Sequence, residues 1–148
     1  MVLVDTNVLV YAHDPAEPVR RVTARAVLDR LELGAGALSA QALSEFLSVT
    51  TRPARGMPPR LTPAEALAQV ERLVRSFRII ELTSTIVMEA GRGVRDHQLS
   101  YYDAQVWACA RLHQISVVFS EDFQDGMSLD GVRFVNPFAQ GFELAQWA

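Results

Sequence analysis

The sequence predicts an α/β fold: a three-layer α/β/α sandwich around a mostly parallel central sheet. Three observations predict it. Short apolar or β-branched runs alternate with longer stretches of helical periodicity along the chain, the pattern of strands joined by helical crossovers. The first run, Met1 to Val4, is apolar throughout instead of alternating, as a strand covered by helices on both faces must be. The 148 residues contain no internal repeat and no low-complexity segment, and are enough for one domain, 1–148, with a sizeable core.

The elements follow in order. Met1 to Val4 reads as a buried strand running into a loop at Asp5-Thr6-Asn7. After Pro15 and Pro18, a helix is expected from Val19 to Leu31, with Val22, Ala26 and Leu28 inward and arginines outward. Gly34 and Gly36 end that pattern, and Ala37-Leu38 forms a very short strand. Ser39 can cap a helix from Ala40 to Thr51, in which Leu43, Phe46 and Leu47 have helical spacing. Four prolines and glycines make Arg52 to Arg60 a loop. Thr62-Pro63-Ala64-Glu65 is a capping box with proline in the first turn, and its helix should bury Ala66, Val70, Leu73 and Val74. A strand is predicted over Arg78 to Leu82, then a helix capped by Thr83 from Ser84 to Gly91. Another helix, capped by Ser100, runs to His113 with Asp103 in its first turn. Ser116 to Ser120 and Val132 to Val135 read as strands, and the tail, Phe138 to Ala148, as a short helix.

Composition narrows the function. A net charge of −3 excludes a polycation that coats nucleic acid, so nucleic-acid contact requires a local basic patch or metal ions between acids and phosphate. All 14 basic residues are arginine, which is read first as codon bias and otherwise suits bidentate phosphate contact. One cysteine, Cys109, excludes an intrachain disulfide and fits a reducing, cytoplasmic location. The apolar opening meets Asp5 within a few residues, so no signal peptide is expected, and no apolar run approaches the roughly 20 residues of a membrane span.

The acids carry the chemistry. Asp5 and Asp122 each follow a predicted strand, and in an open parallel sheet the carboxyl ends of the strands form the ligand crevice. Asp103 begins a helix, and Glu45 lies about a turn and a half into one, both starting from that same edge if the crossovers are right-handed. Two unit charges about 5 Å apart repel by roughly 3 kcal/mol at an effective dielectric near 20. Four carboxylates in one pocket therefore call for a cation, and a hard divalent ion such as Mg²⁺ or Mn²⁺ takes oxygen ligands. Such an ion polarises a phosphoryl group and acidifies a bound water. Taken singly, each acid has an ordinary explanation: a cap for Asp103, a solvated helix face for Glu45, a turn for Asp122.

The segments Val4-Asp5-Thr6-Asn7-Val8-Leu9, Leu43-Ser44-Glu45-Phe46, Tyr102-Asp103-Ala104 and Ser120-Glu121-Asp122-Phe123, with Asn136-Pro137-Phe138 near the end, occur in this order along the chain. In them the sequence resembles the PIN-domain family, and within it the VapC toxins of toxin–antitoxin pairs. The resemblance implies a Rossmann-like α/β/α sandwich and a Mg²⁺- or Mn²⁺-dependent endoribonuclease. Asp5, Glu45, Asp103 and Asp122 match the family's acidic quartet as catalytic residues and metal ligands, with Asp125 as an extra acid. Thr6, Asn7 and Ser120 would hold those carboxylates in place, while Glu121 is not assigned to the metal. The resemblance also implies an RNA substrate, a cognate antitoxin and a homodimer. Arg52 to Arg60, and the group Arg92, Arg95 and His97, are candidates for RNA or partner contact. A haloacid-dehalogenase-type phosphatase is disfavoured, because Asn7 stands where its second aspartate belongs and there is no lysine. A non-catalytic PIN-like module that binds RNA or protein is the remaining alternative.

Overall fold

Strand residues alternate strictly between two cores, and that alternation builds the molecule. The computed structural model describes residues 1–32, 34–54 and 56–147. Arg55, inside the expected loop, and Ala148, the end of the expected tail helix, lie outside the described residues. Six strands form one sheet: β1 (Val2–Val4), β2 (Gly36–Ser39), β3 (Arg78–Ile80), β4 (Val117–Phe119), β5 (Ser128–Leu129) and β6 (Val132–Val135). Their order is β3-β2-β1-β4-β6-β5. All neighbours are parallel except the short β5, which pairs antiparallel with β6. Val2, Val4, Leu38, Phe119 and Val135 enter one core; Leu3, Ala37, Val118 and Phe134 enter the other.

The first core is covered by α1 (Thr6–Tyr11), α2 (Pro18–Leu31), α3 (Ala40–Thr50) and α4 (Pro63–Ser76), with the tail residues Phe138, Phe142 and Trp147 packed against it. The second is covered by α5 (Ser84–His97) and α6 (Tyr101–Leu112). These are the three layers the sequence predicts. No described helix is long and apolar enough to cross a membrane.

Local signals hold where they are strongest. The Thr62/Glu65 capping box forms in both directions, and the Ser39 hydroxyl accepts from Ala42 N. Several expectations are corrected. The segment after β1 is a helix, not a loop, because the Asp5 carboxylate caps it by accepting from Thr6 N at 2.7 Å. In α2 the buried seam is Ala24, Val27, Leu28 and Leu31, while Val22 and Ala26 are exposed. Val74 on α4 is likewise exposed. α5 continues past Gly91 to His97 and stops where Gln98 turns left-handed, at φ 52. Glycine within it has a packing reason: a Cβ at Gly93 would lie 2.9 Å from the Trp107 ring on α6. Ser100 stands at the N-cap of α6 without a capping hydrogen bond. The tail contributes only a 3-10 turn, Leu144–Gln146.

Candidate active site at the switch point

β1 leads through α1 and α2 to β2 on one side of it, while β4 lies on its other side. The sheet therefore reverses direction of growth between β1 and β4. In such sheets the crevice forms beyond the carboxyl ends of those two strands. Asp5 directly follows β1, and Asp122 stands just past β4, so the topology brings both to that crevice. α3 starts at the end of β2, and Glu45 is on its second turn; Asp103 is in the first turn of α6. Asp5, Glu45, Asp103 and Asp122 all line one groove of about 730 Å³.

Asp5 is the best-fixed of the four. It is buried, takes Thr6 N–H on Oδ1, and takes the Ser120 hydroxyl on Oδ2 at 2.6 Å. Ser120, fully buried, also accepts from Asp122 N at 3.1 Å and from Asn7 Nδ2 at 3.2 Å. Asn7 Nδ2 reaches Asp122 Oδ2 at 3.2 Å and Asp5 Oδ2 at 3.4 Å. One hydroxyl and one amide thus tie together two acids from opposite ends of the chain. Thr6 contributes through its backbone N–H.

The electrostatics are those of crowded acids. Burial pushes the Asp5 carboxyl up to about 6; the Asp122 and Glu45 charges push the same way, against the bonds from Ser120 and Thr6. Burial also raises Asp103, again helped by Asp122 and Glu45, with the Ser100 hydroxyl acting in the opposite direction. Among the described lining residues, Arg52 is the only cation. The donor set is all hard oxygen, and the mutual repulsion is what a divalent cation would relieve. Among the described residues no three His, Cys, Asp or Glu side chains form a metal-binding group. What fits a divalent ion here is the donor chemistry and not a preformed cage: Mg²⁺ is usually held by one or two carboxylates with water completing its shell.

Other expected residues lie elsewhere. Asp125 is outside the groove and accepts from Asn136 N at 2.8 Å, pinning the end of β6. Glu121 turns away, accepting from the Tyr11 hydroxyl at 2.5 Å with Arg20 beside it. The basic group on α5 is neutralised locally: Arg92 pairs with Glu89, Arg95 with Asp96, and His97 with Asp130. From the loop after α3, Arg52 lines the groove, whereas Arg60 is bound to buried Asp14 at 3.0 Å. The sequence reading missed Gln41 and Gln105, which line the groove beside Glu45. Their one sequence signal is the four-residue step from Gln41 to Glu45, which places both on one helix face.

The sequence matches the family model of the PIN domain over residues 2–124. The chain belongs to the PIN-domain family. Solved structures similar to this PIN domain include the VapC20 toxin of Mycobacterium tuberculosis, a sarcin-ricin-loop-cleaving toxin; TM-score 0.67, 22% identity, 90% of this chain and 99% of that chain covered. A toxin–antitoxin complex from Klebsiella pneumoniae gives TM-score 0.65 and 20% identity, covering 93% of this chain and 98% of that one. DNA-bound VapBC from Salmonella typhimurium gives 0.63 and 16%, covering 90% and 95%. None of the curated proteins matches the sequence. At these identities the likeness establishes the fold.

Proposed function

We propose that this PIN domain is a divalent-metal-dependent endoribonuclease and the toxin of a toxin–antitoxin pair, with Asp5, Glu45, Asp103 and Asp122 as its catalytic, metal-binding acids. The observation that carries the reading is the groove itself, where four carboxylates from four distant points of the chain line one cavity at the switch point. The structural likeness to VapC proteins supports the choice of RNA as substrate and of an antitoxin as partner.

A bound Mg²⁺ or Mn²⁺ would supply Lewis acidity at the phosphate and a bound water more acidic than bulk water. Asp5 and Asp122 present oxygens whose positions are fixed by Ser120 and Asn7, so little reorganisation accompanies binding. Glu45 and Asp103 line the groove beside them, and one of the two would take the proton released as water attacks phosphorus. The P–O bond to the departing sugar oxygen breaks, that oxygen takes a proton from the same acid or from solvent, and no covalent intermediate forms on the protein. Arg52 is placed to meet a substrate phosphate. Because the rest of the groove repels phosphate, affinity must also come from bases. Val49, Leu82, Val106 and Tyr102, the last 64% exposed, offer an apolar wall on which an unstacked base can lie. A homodimer, and residence in the cytoplasm beside RNA and antitoxin, belong to the same proposal.

The test is cleavage of a mixed RNA pool by purified, antitoxin-free protein with Mn²⁺ and with EDTA, beside Asp5→Asn. Metal-dependent cutting that disappears in the variant supports the reading. That no three acidic side chains form a metal-binding group among the described residues favours one competitor, a PIN module that binds RNA without cutting it. Tight RNA binding that is unaffected by EDTA and by Asp5→Asn, with no cutting, would establish that competitor instead.

A further inference from the structure

We propose that Gln41 and Gln105 are positioning residues, which aim Glu45 through a directional hydrogen-bond chain running from α6 to α3. The inference rests on the nuclease reading in so far as Glu45 acts in the groove. Gln105 is 4% exposed, and its Nε2 donates to Gln41 Oε1. Gln41 Nε2 in turn donates to Glu45 Oε1 at 2.5 Å. Among the described residues Glu45 Oε2 makes no hydrogen bond, so one carboxylate oxygen is anchored and the other is uncommitted.

The polarity of the chain follows from chemistry. An ionised carboxylate only accepts. Gln41 must therefore turn its NH₂ toward Glu45, which leaves its carbonyl oxygen facing away and in need of a donor. Gln105 supplies that donor from another helix. A buried amide left unpaired is destabilising, and methionine would fill the same space without that cost. Glutamine at position 105 is thus explained by its donor and not by its volume. The chain also ties α3, which carries Glu45, to α6, which carries Asp103 two residues before Gln105. The same two amides therefore bridge the two acid-bearing helices, which pack in different cores.

The test compares Gln105→Met, Gln105→Glu and Gln41→Met with the wild-type protein, after thermal melts verify folding. Three readouts are used: the side-chain amide NMR signals of Gln41 without metal, Mn²⁺ affinity, and kcat and KM for RNA. In Gln105→Met the Gln41 amide protons should lose their hydrogen-bonded shift and slow exchange. Mn²⁺ affinity should fall by about 10–100-fold, as for other residues that orient metal ligands, and kcat should fall with little change in KM. Gln105→Glu should do more harm than Gln105→Met. An acceptor there turns the Gln41 amide over and points its oxygen at Glu45. A packing role predicts instead that Gln105→Met, which keeps length and bulk, leaves the Gln41 signal, Mn²⁺ affinity and kcat unchanged. Gln41→Met should reproduce Gln105→Met, and the double variant should be no worse than either. An unchanged Gln41 signal in Gln105→Met, or Gln105→Met with wild-type Mn²⁺ affinity, overturns the proposal. Should the wild-type protein neither bind Mn²⁺ nor cut RNA, the nuclease reading fails, and the NMR signal still decides whether the chain exists.

Discussion

Asp5 and Glu89 are buried to the same degree, 7% and 8% exposed, yet they keep opposite company. Glu89, on the outer layer formed by α5 and α6, is held by Arg92 and by Arg111, the latter at 3.1 Å. Asp14, also buried, has Arg60. Asp5 has a hydroxyl, two amides and further carboxylates, and among the described residues no arginine bonds it. A carboxylate with a structural task carries its counter-charge within the fold. One without a counter-charge is the candidate functional acid, since such a perturbed carboxyl marks a site and not a structural pair.

The largest effect expected of this contrast is at Asp5. Asp5→Asn should abolish metal-dependent cleavage while leaving the fold intact, because asparagine can still cap α1. Its stability should change in a direction set by pH. The folded protein favours the neutral carboxyl, with its value raised from 3.8 to about 6. The stability this lends is therefore complete below about pH 4 and is lost as pH rises through 6. The loss is on the order of 3 kcal/mol for a shift of this size. In EDTA at pH 7, Asp5→Asn should therefore melt above wild type, and the gap should close at pH 4; thermal melts at the two pH values check this. A variant that melts lower at pH 7 would break the contrast.

Smaller effects sharpen it. Ser120→Ala removes the hydroxyl shared by Asp5 and Asp122 and should weaken Mn²⁺ binding by about 10–100-fold, measured by calorimetry. Tyr102→Ala should raise KM for single-stranded RNA by roughly 5-fold with kcat nearly unchanged, since a stacked base contributes about 1–3 kcal/mol and this ring is mostly exposed. Glu89→Gln should leave cleavage untouched and lower stability by about 1 kcal/mol. Arg92 and Arg111 are half exposed, so water recovers most of what they lose. Loss of cleavage in Glu89→Gln would mean that the two acids are not as different as their partners indicate.

What the sequence made legible were features written within a few residues. Val2-Leu3-Val4 and Val117-Val118-Phe119 are strands because nothing but a two-sided core accommodates them, and Thr62 with Glu65 writes a helix start in four residues. Asp5, Asp103 and Asp122 were legible because each sits at the start or just past the end of such an element, and Glu45 because its helix starts at the same edge. Failures came where local rules compete. Asp5 was read as ending a strand although an aspartate also begins a helix. In α2 the apolar residues are spread around the axis, so two of three inward assignments, Val22 and Ala26, fell on the exposed side. Ser128–Leu129 is too short to register as a strand without its partner. The link from Gln105 to Gln41 spans 64 residues, and no local pattern encodes it.

The bond from Ser120 to Asp5 spans 115 residues, and this separation has a consequence during protein synthesis. A nascent chain translated only as far as α6 already carries Asp5, Glu45 and Asp103. It lacks β4, and with it the hydroxyl that orients Asp5, the fourth acid, and the strand against which β1 must lie. The groove is then a set of scattered carboxylates with no shared geometry. On the proposed nuclease reading, the site is complete only once β4 and Asp122 have been synthesised.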